Sequence, residues 1–189
     1  PDLKEEKSTS YEVGVKTNVE TEWYTFKSKS TLFTTEITDQ INYANSTYTN
    51  DTDGKTKING WDFQSQTQYE NSTFKVGIMY VSAQDSNNTQ MTRRPWWQAN
   101  IGLDHQLNDK VNIWYDWQYY GKHRDIHPTT YAVVDRNYQH YTNVGADFML
   151  NDNLVLKTSI ENITSLDYER PYGYKQPERN FNISLKYFF

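Results

Sequence analysis

Apolar and polar residues alternate with a period of two along most of the chain. The last segment shows it most plainly. Phe181, Ile183, Leu185, Tyr187 and Phe189 fall on one side, and Asn182, Ser184, Lys186 and Phe188 on the other. A strand separates neighbouring side chains in this way, and a helix does not. The same reading predicts eight further strands, over about 8–18, 22–43, 57–70, 73–83, 96–107, 110–120, 137–150 and 154–163. The 22–43 stretch is long and its alternation is mixed. No sustained i, i+3, i+4 apolar pattern predicts a helix.

The connections alternate too. Short ones are Val19-Glu20-Thr21, Glu70-Asn71-Ser72, Asn108-Asp109-Lys110 and Asn151-Asp152-Asn153, all residues that suit tight hairpins. Long ones cover about 44–56, 84–95, 121–136 and 164–179. Every second connection is long, so an up-and-down meander places all the long loops on one rim. No linker or composition break divides residues 1–189, which read as one unit.

The contents of the two faces predict the surroundings. One face carries Glu12, Lys16, Asp62, Gln64, Gln66, Gln68, Lys75, Gln98, Asn100, Asp104, Asp116, Gln118 and Asp147, with charges in mid-strand, so it must be wet. The other carries Val76, Ile78, Ile101, Leu103 and Val144, with Trp61, Tyr69, Phe74, Tyr80, Trp97, Trp117, Tyr119 and Tyr138 towards strand ends. Aromatic rings with a polar handle favour a membrane–water boundary. Apolar outside, polar inside and aromatic at the edges is the pattern of an antiparallel transmembrane β-barrel. A soluble β-sandwich or lipocalin-like barrel also alternates. Nine segments with alternating loop lengths and an aromatic end favour the membrane.

Composition then becomes intelligible. Leu, Ile, Val and Phe make up only 37 of 189 residues and mean hydropathy is −0.95, which in a soluble chain signals disorder. A net charge of −5 and 16% aromatic residues argue for a folded chain. A barrel wall with a wet lumen needs only a narrow apolar belt. There is no cysteine, hence no disulfide or thiolate site, and no basic tract for nucleic acid. No apolar run approaches the ~20 residues of a transmembrane helix. The chain opens on Pro1, without an initiator Met or a signal peptide, and reads as processed or as part of something longer.

Several segments resemble one family. Pro1-Asp2-Leu3-Lys4-Glu5-Glu6 with Ser10-Tyr11-Glu12-Val13-Gly14 is similar to a segment inside the barrel of TonB-dependent outer-membrane receptors. Arg94-Pro95-Trp96-Trp97-Gln98-Ala99-Asn100-Ile101-Gly102-Leu103-Asp104 and Tyr120-Gly121-Lys122-His123-Arg124 resemble two later motifs. Glu161-Asn162-Ile163, Asp167-Tyr168-Glu169, Gly173-Tyr174, Pro177-Glu178-Arg179 and Tyr187-Phe188-Phe189 resemble the family's end. Glu5 stands where the family has Pro, and Glu178 where it has Gly.

The resemblance implies about nine strands from the C-terminal part of a plugged barrel of about 22 strands. The plug, the earlier strands and the TonB-binding segment would belong to an N-terminal remainder. An odd strand number makes closure alone unfavourable. It further implies a Gram-negative outer membrane with lipid around the wall, extracellular long loops and a periplasmic C-terminus. The function implied is TonB-driven import of a scarce ligand. A ferric siderophore leads, a catecholate complex being one candidate, with haem and cobalamin behind it. No intrinsic cofactor and no enzyme activity are expected.

The long loops hold the candidate ligand-binding residues: Arg93, Arg94, Trp96, Lys122, His123, Arg124, His127, Tyr131, Tyr168, Arg170, Tyr172 and Tyr174. Arginine beside aromatic rings suits an anionic aromatic ligand through charge and cation–π contacts. His123 and His127 suggest haem, but lack a defined ligand set. Asp125 beside His127 suggests a hydrolase, but no nucleophile accompanies them. Lumen carboxylates read as a solvated wall, and no metal site is expected. Sequons at Asn45, Asn71, Asn87 and Asn162 carry little weight in a bacterial chain. Two other classes stay open: a soluble carbohydrate-binding β-protein with aromatic stacking platforms, which would need no detergent, and a small stand-alone porin or enzyme barrel.

Overall fold

The computed structural model describes residues 3–44, 46–51 and 54–189. The sequon at Asn45 and the first two residues of the opening motif lie outside them. Thirteen strands form: β1 Lys7–Glu20, β2 Tyr24–Thr38, β3 Ile41–Ala44, β4 Thr47–Asn50, β5 Lys55–Tyr69, β6 Ser72–Gln84, β7 Trp97–Asn108, β8 Val111–Tyr120, β9 His123–Ile126, β10 Val133–Arg136, β11 Gln139–Asn151, β12 Leu154–Glu161 and β13 Asn180–Tyr187. Nine of them make one antiparallel sheet in the order β1-β2-β5-β6-β7-β8-β11-β12-β13. The other four are two small hairpins, β3-β4 and β9-β10, set inside long connections.

The sheet is a meander whose connections are alternately short and long, as the sequence predicts. The nine predicted strands correspond to its nine members. Strand two is the exception in length. It stops at Thr38 because Asp39 takes a positive φ of 53° and turns the chain into β3. The Asp51 N–H then donates to the Gln40 carbonyl, and the Thr56 hydroxyl donates to the Gln40 side chain. Its mixed alternation also has a cause. Phe33 pairs with Glu12 and Gly60 on the polar face, so an aromatic stands where a polar residue is expected. An added Cβ on Gly60 would lie 2.2 Å from the Phe33 ring, so glycine makes room for it.

Register confirms the two faces. Lys16, Lys29, Gln64, Gly77, Asn100, Gln118 and Tyr141 form one continuous cross-strand row on the polar side. One step along, Ser28, Ser65, Val76, Ile101, Trp117 and Thr142 form a row on the opposite side. Aromatic contacts run along the apolar face towards the long loops: Tyr80–Trp97 at 4.9 Å, Trp117–Tyr119 at 6.1 Å and Tyr119–Tyr138 at 5.8 Å.

The sheet has no interior of its own. Among the described residues Ala83 and Pro95 are the buried aliphatic side chains, and no Leu, Ile, Val, Phe, Tyr or Trp is buried. Val13, Ile183 and Phe181 are each at least two-thirds exposed. A water-facing sheet with such a surface would aggregate. In lipid the same surface is the favoured one. Both β1 and β13 end the sheet with an unpaired edge, so these nine strands are a length of barrel wall and not a closed barrel.

Candidate functional site

Three long connections, 85–96, 121–138 and 162–179, meet at the rim, and one side chain joins them. Asp125 on β9 is 1% exposed. Its Oδ1 accepts from Arg93 Nε at 2.7 Å and from the Ile126 N–H at 2.7 Å. Its Oδ2 accepts from the Tyr172 N–H at 2.8 Å. Arg93 comes from the first of these loops and Tyr172 from the third, so a single carboxylate clasps all three. The Arg93 N–H also donates to the Arg124 carbonyl at 2.6 Å, and Arg124 Nη1 to the Gln90 carbonyl at 3.2 Å.

The third loop has its own fastenings. Arg136 Nη2 lies 3.4 Å from Glu169 Oε2, and its guanidinium sits 4.1 Å from the Tyr172 ring centre. His127 also meets Tyr172, edge to face at 5.4 Å. Tyr168 stacks on Tyr141 at 5.3 Å. The Arg170 guanidinium lies 4.0 Å from the Tyr120 ring centre. Asn162 is buried and uses its side-chain amide to donate to the Leu166 carbonyl and to accept the Leu166 N–H. That sequon asparagine is therefore a loop anchor.

The twelve sequence-predicted residues divide into two groups. Arg93, Arg124, Tyr168, Arg170 and Tyr172 hold the loops to one another and to the rim. His123 joins them, buried with its ring edge-on to Tyr120 at 4.9 Å. His127 Nδ1 accepts from the N–H groups of Thr129 and Thr130 and caps the tip of the β9-β10 hairpin. Trp96 is half-buried at the entry to β7. Arg94, Lys122, Tyr131 and Tyr174 are exposed, Tyr131 and Tyr174 at 78% and 63%. A fixed frame thus displays two cations and two phenols to solvent at the rim.

A family model described as TonB dependent receptor-like, beta-barrel, matches residues 1–163. The chain belongs to the TonB-dependent receptor β-barrel family. Solved structures of similar fold include the siderophore receptor PirA from Acinetobacter baumannii, 14% identical with a TM-score of 0.78 over 98% of this chain and 32% of that one. The ferric-catecholate import receptor Fiu from E. coli K12 is 17% identical, with a TM-score of 0.78 over 100% of this chain and 28% of that one. A ferric enterobactin receptor from Pseudomonas aeruginosa is 18% identical, with a TM-score of 0.77 over 98% and 31%. The chain spans about a third of the length of these receptors.

Within this receptor wall the Asp125 clasp is electrostatically tuned. Burial alone would push the Asp125 carboxyl up. The Arg93 hydrogen bond, the Tyr172 and Ile126 N–H groups and the Arg93 charge outweigh it and hold the carboxyl below its ordinary value. Burial, aided by the Arg136 and Arg170 charges, holds His123 below its ordinary value against the Gly121 carbonyl and Asp125. Both shifts act with the same sign. His123 contributes stability above the ordinary histidine value of about 6.5, and Asp125 above the ordinary carboxylate value of about 3.9. Each contribution falls as pH drops through the gap between its ordinary and lowered values. Loop protection in hydrogen exchange is therefore expected to weaken from about pH 6 downwards, and further once Asp125 protonates. Protection that stays flat to pH 3 would overturn the assignment.

Sequence reasoning noted Asp125 only as a neighbour of His127. Its clasp spans Arg93 and Tyr172, 32 and 47 positions away, and no local pattern encodes such pairs. The β9-β10 hairpin left a fainter trace, since His127-Pro128-Thr129-Thr130 is turn chemistry between two short extended runs.

Proposed function

We propose that this chain is the C-terminal part of the barrel of an outer-membrane receptor that imports a ferric siderophore with TonB-supplied energy. The observation that carries the reading is the set of joined rim loops that expose Arg94, Lys122, Tyr131 and Tyr174 above a polar-faced barrel wall. Cations and phenol rings exposed on the same joined loops suit an anionic aromatic chelate, so a ferric catecholate fits this display best. The family membership and the fold shared with siderophore receptors support the same class. The long loops face outwards and the C-terminus faces the periplasm. The unpaired edges of β1 and β13 call for further strands, because an open sheet edge has no partner in lipid. Those strands and a plug belong to the N-terminal remainder of the receptor. No covalent chemistry is required of any residue.

Growth of an iron-starved strain expressing the whole receptor, supplied with defined ferric catecholates, hydroxamates or haem, tests the reading. Rescue by a catecholate source, dependent on TonB, is expected. Rescue by no ferric source sinks it. The variant Arg94→Ala/Tyr131→Ala/Tyr174→Ala is expected to weaken ligand binding by roughly tenfold, as an exposed cation–π contact of Arg94 contributes about 0.5–1 kcal/mol and each ring-on-ring contact of a tyrosine about as much. Receptor yield and urea resistance should not change.

A further inference from the structure

On the apolar face, Ser72 opens β6 and stands directly opposite His105 of β7, with Ser72 Oγ 2.8 Å from His105 Nδ1. Phe74, Leu103 and Leu107 flank the pair on the same face, and Ile113 of β8 faces His105 from the other side. A neutral imidazole and a hydroxyl carry one proton each, and their mutual bond uses one of the two. Whichever tautomer forms, one N–H or O–H is left to donate, and no other described residue bonds to either side chain. On a wall that faces lipid, a donor without an acceptor is costly. His105 lies three residues from the end of β7 at Asn108. At about 3.3 Å per residue along an inclined strand, that is about 8 Å from the turn, the depth of lipid phosphodiester and ester oxygens.

An apolar groove of about 600 Å³ begins beside this pair. Register gives its course. One cross-strand row runs through Ser72, His105, Ile113, Ala146, Thr158 and Ile183. The row starts at the first residue of β6, and at Thr158 and Ile183 it is four residues inside β12 and β13. It therefore leaves the short-turn rim and climbs into the membrane. From Ile113 onwards it forms one wall of the groove, Tyr115 and Val144 belong to the opposite wall, and Gly145 lies between them.

The rim below the pair has its own charge order. Glu70, Asp109 and Lys110 are exposed in the two short turns, and none of them makes an ion pair with a described residue. The Gln106 N–H donates to the Asn71 carbonyl at 2.9 Å and holds the two turns side by side. Hydrogen-bond donors at ester depth, with two carboxylates and one ammonium nearer to water, suit a phosphate that carries an amine beyond it.

We propose that the groove is a site for one amine-headed, zwitterionic glycerophospholipid of the short-turn leaflet. Its phosphodiester accepts from the Ser72–His105 pair, its ammonium meets Glu70 and Asp109, and one acyl chain lies between the two rows of side chains. The proposal uses only the place of the wall in lipid and is independent of the ligand imported.

Native mass spectrometry of the purified whole receptor tests the site, after exchange into detergent with phosphatidylethanolamine, phosphatidylglycerol or diacylglycerol of the same chains. One phosphatidylethanolamine should stay bound under activation that strips the rest, and the other two lipids should be held more weakly. Ser72→Ala/His105→Phe should weaken retention on the order of tenfold. Ala146→Phe, which fills the groove and leaves the donors in place, should do the same. Thr17→Ala/Ser28→Ala removes a hydroxyl pair from the same face of β1 and β2 and should change nothing. Unchanged retention in both groove variants, or retention of either other lipid equal to that of phosphatidylethanolamine, overturns the site. A receptor dimer that Ala146→Phe dissolves also overturns it, since a second copy would then occupy the groove. If the variants do not fold, a diazirine-bearing phosphatidylethanolamine replaces them in the unaltered receptor: labelling concentrated on β8 and β11 supports the site, and labelling spread evenly over the wall overturns it. Failure of ferric-source rescue removes the import reading and leaves this site standing.

Discussion

Asp125→Ala is expected to release all three rim loops while leaving the nine-stranded sheet folded. The substitution removes the acceptor of Arg93 Nε, the Ile126 N–H and the Tyr172 N–H at once. Deleting one partner of a buried, hydrogen-bonded ion pair costs about 3–5 kcal/mol. Part of that is recovered here, because Arg93 is half-exposed and its freed guanidinium can reach water. The two backbone donors have no such relief, as the site they point into is closed. Limited proteolysis should then cut within 85–96 and 162–179, where the unaltered protein resists. Arg93→Ala should cost less, roughly 1 kcal/mol, because Asp125 keeps its two backbone donors. Asp125→Asn should fall between them. If Asp125→Ala leaves the loops resistant, the clasp is not what holds them together. Ligand binding should fall with the loops, although Asp125 is too buried to meet a ligand. Loss of binding at a residue that cannot touch the ligand is what separates a positioning role from a contact role.

How far such effects could be foreseen depends on how local their cause is. The nine sheet strands were legible because alternation is a property of adjacent residues, and each hairpin turn declares itself in two or three positions. The faces were legible for the same reason, including the polar positions Gln64, Asn100 and Gln118, although the row that register makes of them was not. Where the pattern blurred, as at Phe33, the cause is a cross-strand accommodation with Gly60 that one strand alone does not show. The loop residues were legible as types, but their partners were not. Arg93 and Arg124 each read as a candidate ligand-binding residue because both are arginines in loops rich in aromatic rings. Their environment, a buried carboxylate for one and the Gln90 carbonyl for the other, depends on contacts more than 30 positions apart. Alternation also conceals which side chains of separate strands come together. Lys16, Lys27, Lys29 and Lys75 each occupy an ordinary polar position, and only register brings them into one cavity.

The assignment of faces carries the second large expectation. Ile101 sits in mid-strand on β7, between Val76 and Trp117, 44% exposed on the apolar side. Asn100, the preceding residue, faces the polar row between Gly77 and Gln118. In water the two positions would tolerate arginine about equally, since both are accessible. In a membrane they differ sharply. A guanidinium on the lipid side near the bilayer midplane costs about 2–4 kcal/mol, while one in the lumen keeps its hydration. Ile101→Arg in the whole receptor should therefore lower the folded, urea-resistant fraction and its recovery from outer membranes. Asn100→Arg should shift unfolding by less than about 1 kcal/mol. The contrast is internal: one strand, adjacent residues, the same introduced group. Length, β-propensity and added charge cancel, so the difference reports the solvent on each face. Equal tolerance at both positions would place water on both sides of β7 and return the chain to a soluble β-protein with aromatic platforms. Equal damage at both would mean that the polar face is dry, at odds with the mid-strand charges Lys16, Lys29, Asp62 and Lys75 that it carries.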